Sequence, residues 1–387
     1  MGDKLFFPNY KNGSIVNLMA SIQNAYGKRK SEYGELKFLK SSEIKKYNNI
    51  ILLVLDGIGY DYVKKYGKKG IMAKSLKGGI TTVFPSTTPC AIASFLNGTP
   101  PSEHGILGLF LHIPEIKETI VTIKHGIRGK GSLSKDIKFE ELYNLTPFSN
   151  KINIETYHID DEKVIDSIYT TSQSGKSKRI GHQGIKDCFD KLKDVIQSNK
   201  NKKYIYAHIP NHDLLCHDFG LDSKEALEDY DKTDLELRKF LNEVKDTNTM
   251  VIVTADHGMI DIPKENMILI KDYPELKETL TLPMYGQSRY ANCIVKNKEK
   301  FKKIISEKFK GKCEIFNKNE AEKLYGLKIN EKFKERIGDF LLVMKKDYGI
   351  YDLPPEQSYE TYDYNTCDHG GLNKNEMQVP LIIITSN

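Results

Sequence analysis

Four apolar runs set the pattern of this chain, and three of them lead into an aspartate. Ile50-Ile51-Leu52-Leu53-Val54-Leu55 is apolar at every position and ends at Asp56. Met250-Val251-Ile252-Val253-Thr254-Ala255 ends at Asp256, and Tyr204-Ile205-Tyr206-Ala207 precedes Asp213. The fourth run is Val379-Pro380-Leu381-Ile382-Ile383-Ile384. Runs without polar alternation predict strands buried on both faces, as in a parallel sheet. Helical spacing fills the intervals. Ile15, Val16, Leu18, Met19 and Ile22 predict a helix over 14–25 behind a Ser14 cap. Gly57-Ile58-Gly59 predicts a tight turn into a helix near Tyr60, and further helices are predicted over 90–96, 183–199 and 223–245. A short strand is predicted over 79–84. Strands alternating with helices place the chain in the α/β class, with a mostly parallel central sheet.

The organisation is less uniform outside these runs. Residues 1–47 read as an extension of amphipathic helix and loop. Residues 109–180 are poorly patterned and are expected to contain an insertion. Residues 265–355 carry two strand-like runs, Tyr290-Ala291-Asn292-Cys293-Ile294-Val295 and Asp339-Phe340-Leu341-Leu342-Val343-Met344, around a Lys-rich helix. No repeat or low-complexity linker is visible.

At 387 residues the chain can bury a large core. Its net charge of +6 comes from Lys and acidic residues mixed along the chain, which describes a solvated surface. No helix-turn-helix, RNA-binding or zinc-finger pattern is present, so nucleic-acid binding is not expected. The six cysteines have no paired spacing, which fits a reduced, cytoplasmic protein. The N-terminal residues lack a signal-peptide core, and no stretch is apolar enough to span a membrane.

The chemistry lies where the apolar runs end. Leu55-Asp56-Gly57, Asp213-Leu214-Leu215-Cys216-His217, Asp256-His257-Gly258 and Asp368-His369-Gly370-Gly371 supply carboxylates and imidazoles, which suit zinc or a similar divalent cation. Ligands in open α/β sheets bind beyond the carboxyl ends of the strands, where these residues would converge. Phe84-Pro85-Ser86-Thr87-Thr88-Pro89 adds hydroxyls at a helix start, where free N–H groups favour a phosphate. Several residues compete for roles. His212 and His208 compete with His217, Cys216 is a soft-metal ligand or an inert thiol, and Asp368 is an orienting partner of His369 or a turn residue. His104 in Glu103-His104-Gly105 reads as structural. Arg289 in Gln287-Ser288-Arg289-Tyr290 is a candidate for a second anionic group on a substrate.

Together these motifs resemble the alkaline phosphatase superfamily over residues 48–387, most closely its type I phosphodiesterase/nucleotide pyrophosphatase branch. The resemblance implies an alkaline-phosphatase-like three-layer sandwich: a core over 1–275, an inserted αβ cap subdomain over 276–354 and a return to the core over 355–387. It implies two divalent metal ions, zinc first, with manganese or magnesium as alternatives. Asp56, Asp256 and His257 would hold one; Asp213, His217 and His369 would hold the other. Thr88, rather than its neighbour Thr87, falls on the family's metal-linked threonine nucleophile. The implied substrate is a small phosphodiester or nucleotide-like molecule. A phosphomonoesterase or phosphonate hydrolase of the same superfamily is the alternative. The family commonly has an aromatic residue where this chain has Pro89, and a phosphate-binding asparagine where it has Leu109. The motif set, nearest the phosphodiesterase branch, implies a preference for diesters, and those two departures imply weak nucleotide selectivity, unless Phe110 or Tyr290 supplies the platform. A sulfatase turn and the serine context of the phosphoglycerate mutase branch are both missing. A non-catalytic protein on this fold would have lost a ligand or the hydroxyl, and this chain has lost none.

Overall fold

Successive strand residues point to opposite faces of a sheet, so a strand buried at every position needs cover on both sides. The structure, a computed structural model, describes residues 4–67, 69–134 and 136–386. The first three residues of the polar N-terminal stretch lie outside it. The first apolar run forms β1 (Asn49–Leu55), and all seven of its residues are buried. It lies in the middle of a seven-stranded sheet. The other strands are β2 (Leu76–Thr81), β3 (Glu155–Asp161), β4 (Lys178–His182), β5 (Lys203–Ile209), β6 (Thr249–Thr254) and β7 (Gln378–Ser386). Their order is β2-β7-β6-β1-β5-β3-β4. Only β7 runs against its neighbours; the other pairings are parallel.

Two groups of helices flank this sheet. α1 (Ile15–Tyr26) packs on α3 (Thr88–Asn97), while α4 (Ile185–Gln197) and α5 (Asn211–Phe219) pack on α6 (Lys224–Glu243). A shorter helix, α2 (Tyr60–Tyr66), packs on β7. The N-terminal helix is part of the core and not a loose extension: Ile15, Val16, Leu18, Met19 and Ile22 are fully buried. It starts from a reciprocal cap between Ser14 and Asn17. No helix among the described residues is long and apolar enough to cross a membrane.

The sheet differs from the sequence pattern in two places. The strand predicted over 79–84 is β2, which ends at Thr81 because its partner β7 begins opposite it at Gln378. Beyond that point the Thr82 amide donates to the Met377 carbonyl instead (2.9 Å). The second difference concerns 109–180. Phe110–Ile113, Glu118–Val121, Gly126–Ile127 and Gly131–Ser132 do form a separate small sheet. β3 and the start of β4 also fall in this range, however, and both strands belong to the central sheet. They carry His158, Asp160, Asp161, Lys178 and Arg179, and those polar residues hide the strand signal.

A second sheet, antiparallel, contains Tyr285–Gln287, Tyr290–Cys293, Phe340–Met344 and Cys313–Asn317 in that order. Its strand Phe340–Met344 shows how it docks. Phe340, Leu342 and Met344 pack into a local cluster with Phe301 and Phe309, whereas Leu341 and Val343 point into the main core. One strand therefore belongs to both clusters, by simple alternation of faces.

Arg289 is buried here and does not face a ligand. Its guanidinium forks onto the Glu376 carboxylate, with both N–O distances 3.1 Å, and donates to the carbonyls of Met344, Lys346 and Tyr348. Both side chains are fully buried. The pair ties the second sheet to the segment that enters β7. This corrects Arg289 as a substrate-binding candidate, because all of its donors but one are committed to protein acceptors. Breaking a buried pair leaves an uncompensated charge. Glu376→Gln should therefore lower unfolding stability by about 3–5 kcal/mol, read as a lowered denaturant midpoint at unchanged slope.

Candidate metal centre

The three central strands β6, β1 and β5 are neighbours, and each hands the chain to the same end of the sheet. Asp56 follows β1 directly, Asp256 follows β6 after one residue, and Asp213 and His217 lie on α5 beyond β5. Close packing of these exits requires glycine. A Cβ on Gly258 would sit 2.0 Å from the Asn375 carbonyl oxygen. Gly57, at φ +76°, would bring a Cβ within 2.8 Å of Met259 Sδ and 3.1 Å of the Asp213 Cα. The Gly57 amide instead donates to Asp256 Oδ1 (3.2 Å), which also accepts from the His257 amide (2.9 Å).

Side chains from four separate segments meet there. His257 Nε2 lies 3.1 Å from Asp256 Oδ2 and 3.4 Å from Asp56 Oδ1. His217 Nε2 lies 3.2 Å from Asp213 Oδ2, one helical turn away. His369 Nε2 is 3.8 Å from Asp213 Oδ1, and its ring stacks on His257 with centroids 3.6 Å apart. The donor atoms of Asp56, Asp256 and His257 fall within 4.8 Å of one another, as do those of Asp213, His257 and His369 and those of His217, Asp368 and His369.

The orientation of the imidazoles is fixed from behind. His217 Nδ1 donates to the Cys367 carbonyl (2.6 Å), His257 Nδ1 to that of Gly258 (3.2 Å) and His369 Nδ1 to that of Ser86 (2.9 Å). A carbonyl only accepts, so each Nδ1 holds a proton and each Nε2 turns inward. Asp56 Oδ1, Asp213 Oδ1 and Asp256 Oδ2 are buried without any hydrogen-bond donor. Electron pairs converging in a buried place without donors are costly unless a cation accepts them. The residues present therefore fit divalent cations, and the mixed nitrogen and oxygen set suits zinc well.

Electrostatics agree with that reading. Burial, together with the charges of Asp256 and Asp213, pushes the Asp56 carboxyl well above its usual range. Burial also raises Asp256. Asp213 moves the other way: burial opposes its charge, but the His217 imidazole beside it outweighs that and holds it below the usual range. Burial likewise opposes the charged form of His217, yet Asp213 raises it to about 10. Burial lowers His257 to about 4, and burial with the His257 charge lowers His369 to about 4.

Thr88 opens α3 and is the partly exposed hydroxyl of its turn, with Oγ1 3.1 Å from His257 Nε2. Thr87 is buried and donates to Gln287 Oε1 (2.6 Å). Of the remaining candidates, His212, Cys216 and His104 fall outside these donor groups. His212 is buried 3.4 Å from the Cys216 sulfur and packs against Tyr62. Burial pushes the Cys216 thiol up, and it packs with Ala226, Met259 and Cys367 as an apolar group. His104 is fully buried, accepts from the Ile106 amide (3.1 Å) and pairs with Ser94 (3.1 Å). Asp368 accepts from Gln287 Nε2 (2.7 Å), the His369 amide (2.8 Å) and Ser288.

The family-model comparison matches residues 50–371 to "Type I phosphodiesterase / nucleotide pyrophosphatase". The chain belongs to the type I phosphodiesterase/nucleotide pyrophosphatase family. It is accordingly a phosphoric ester hydrolase from a group that typically depends on divalent metals. Among solved structures, murine ectonucleotide pyrophosphatase/phosphodiesterase 5 is 18% identical over 86% of this chain and 87% of that one, with a TM-score of 0.64. The human counterpart is 17% identical over 86% and 87%, with a TM-score of 0.63. Phosphonoacetate hydrolase from Sinorhizobium meliloti 1021, in complex with phosphonoformate, is 16% identical over 87% and 90%, with a TM-score of 0.62. At these identities the likeness is one of fold. Among curated proteins, none matches the sequence significantly.

Two features of this family member were not legible in its motifs. Gln287 spans Thr87, Asp368 and His369, although the sequence singled out its neighbour Arg289. A cavity of about 90 Å³ opens beside Gln287 and Asp368, with Leu109, Phe110, Arg128 and Tyr351 among its walls. The Arg128 guanidinium lies 4.1 Å from the Phe110 ring centroid and so covers a face of it. Tyr290 is fully buried and packs edge-on against Phe84.

The metal-free protein holds a proton on His217 up to about pH 10, and an incoming cation must displace it. Cation binding should therefore release protons near neutral pH, and its affinity should rise with pH until about 10. Calorimetric titration of zinc in buffers of different ionisation enthalpy measures this release. A proton count of zero throughout would contradict it.

Proposed function

We propose that this family member is a phosphodiesterase or pyrophosphatase-type hydrolase with Thr88 as its nucleophile. The observation that carries the reading is the convergence beside the Thr88 hydroxyl. Inward-turned imidazoles and unpartnered carboxylate oxygens gather there, and one of those imidazoles, His257, has its Nε2 3.1 Å from the Thr88 hydroxyl at the N-terminal end of α3. Asp56, Asp256 and His257 would hold one divalent ion; Asp213, His217 and His369 would hold the other. Zinc fits this set best, with manganese and magnesium as alternatives. Bound ions supply positive charge that favours the alkoxide and offsets charge building up on the phosphoryl oxygens.

Thr88 Oγ attacks phosphorus, loses its proton and forms a phospho-threonine as the P–O bond to the leaving alcohol breaks. The leaving oxygen takes up a proton. Water then cleaves the Thr88 ester and regenerates the hydroxyl. Pro89 has no N–H, and the Cys90 and Ala91 amides donate to the Thr87 carbonyl (3.0 Å each), so the Thr88 amide is the group at the start of α3 placed to bind a phosphoryl oxygen. A structure of the murine neighbour is described as an inactive threonine-to-alanine variant in complex with AMP, which supports both the role of a threonine and a nucleotide-like ligand. The solved phosphonate complex on the same fold supports a phosphonate as the alternative substrate class. Six unpaired cysteines are consistent with a reducing, cytoplasmic setting.

Neither Thr87 nor Thr88 caps α3 through its side chain. Thr88→Ala should therefore leave stability and zinc content nearly unchanged while lowering kcat by at least about a thousandfold. Thr87→Ala should keep most of the turnover. The opposite pattern would move the nucleophile to Thr87. Chelation should abolish activity and zinc or manganese should restore it, measured on bis-p-nitrophenyl phosphate. The same assay should favour this diester over p-nitrophenyl phosphate, with little extra gain for p-nitrophenyl-thymidine monophosphate. A strong monoester or phosphonate preference would overturn the diester reading.

A further inference from the structure

Behind Asp56 lies a buried chain of polar side chains that the proposed chemistry does not use. It runs across three adjacent strand ends. β1 leads to Asp56, β5 carries His208 and β3 carries Asp160, in the spatial order β1-β5-β3. His208 Nε2 lies 3.1 Å from Asp56 Oδ2, and His208 Nδ1 lies 3.0 Å from Asp160 Oδ1. Exposures are 3% for Asp56, 6% for His208 and 4% for Asp160, so water does not compete for these contacts.

The chain is braced behind Asp160 and at the His208 backbone. The Asp160 carboxylate also faces His158 Nε2 at 3.5 Å, and His158 Nδ1 lies 3.1 Å from Ser174 Oγ. The Tyr206 ring meets the His158 ring edge-on, at 4.9 Å between centroids. The His208 backbone carbonyl accepts from His182 Nε2 (2.8 Å) at the end of β4. Four neighbouring strands thus combine to fix one imidazole. A polar residue at the end of one strand is unremarkable; a contiguous buried series that ends on a carboxylate of the candidate centre has a direction.

That direction matters because it divides the two oxygens of Asp56. Oδ2 is taken by His208, whereas Oδ1 is buried without a donor and lies 3.4 Å from His257 Nε2. We propose that His208 and Asp160 are positioning residues that hold Asp56 by Oδ2, so that Oδ1 alone is presented to a divalent cation beside Asp256 and His257. This inference rests on the two-metal reading above. It assigns to His208 a role distinct from that of an alternative ligand, since both of its ring nitrogens are already engaged by carboxylates.

Outer-sphere partners of this kind typically change metal affinity by about 10–100-fold when removed. The test is a zinc titration of the full chain, stripped with a chelator and followed against a competing zinc indicator. The parent chain should bind two zinc ions. His208→Ala should weaken one of them by about 10–100-fold and leave the other within about threefold of the parent. His208→Gln can place an amide N–H where Nε2 stood, so it should recover part of the loss. Asp160→Asn keeps the shape and should weaken the same ion in the same direction; it carries the test if His208→Ala does not fold, which circular dichroism reports. Unchanged affinity at both ions in the folded variants, or equal loss at both, would overturn the positioning role while leaving the two-metal reading intact. A parent chain that binds fewer than two zinc ions would overturn that reading, and this inference with it.

Discussion

The burial of like charges at one end of a parallel sheet is the constraint on which this molecule depends. Asp56, Asp213 and Asp256 are each at least nine-tenths buried, and their carboxylates lie in two donor groups that share His257. Isolated buried carboxylates are strongly unfavourable, so such a cluster persists only where the surroundings hold it and a cation or proton neutralises it. The raised Asp56 and Asp256 carboxyls express that tension, as does the His217 imidazole held protonated against Asp213.

Much of the neighbouring structure can be understood as the means of holding it. The glycines at 57 and 258 let three strand exits approach to backbone contact. Backbone carbonyls of Ser86, Gly258 and Cys367 set the three imidazoles. Asp256 Oδ1 is fixed by two amides, and Asp56 Oδ2 is fixed by His208. Each group spends one hydrogen-bonding atom on the scaffold and turns the other toward the centre, which makes the donor set rigid before any ligand arrives.

The second sheet takes part in the same arrangement. Arg289 and Glu376 anchor it to the entry of β7, and the adjacent Gln287 and Ser288 reach Asp368. Gln287 also accepts from Thr87, the residue next to the candidate nucleophile. One short strand and its turn therefore connect a structural ion pair, a carboxylate beside His369 and the start of α3. The cavity with Leu109, Phe110 and Arg128 in its walls opens between this sheet and the small sheet over residues 110–132.

The sequence determined what local chemistry and periodicity can express. Continuous apolar runs marked β1, β5, β6 and β7, since burial on both faces leaves a mark at every residue. Helical spacing located α1, α3, α4 and α6 to within a few residues of their ends. The short aspartate and histidine motifs contain the residues that meet in the candidate centre, although Asp368 read there as an orienting partner or a turn residue. What the tertiary structure decided was each side chain's partner. β3 and β4 hid behind polar residues, and one of these, Asp160 on β3, begins the buried chain that runs through His208 to Asp56. Arg289 and Gln287 sit two positions apart, yet one is locked in an ion pair and the other faces the centre. Residue type and spacing give chemical capacity, but strand order and register set the direction in which each hydrogen bond is made, and these depend on contacts between residues far apart in the chain.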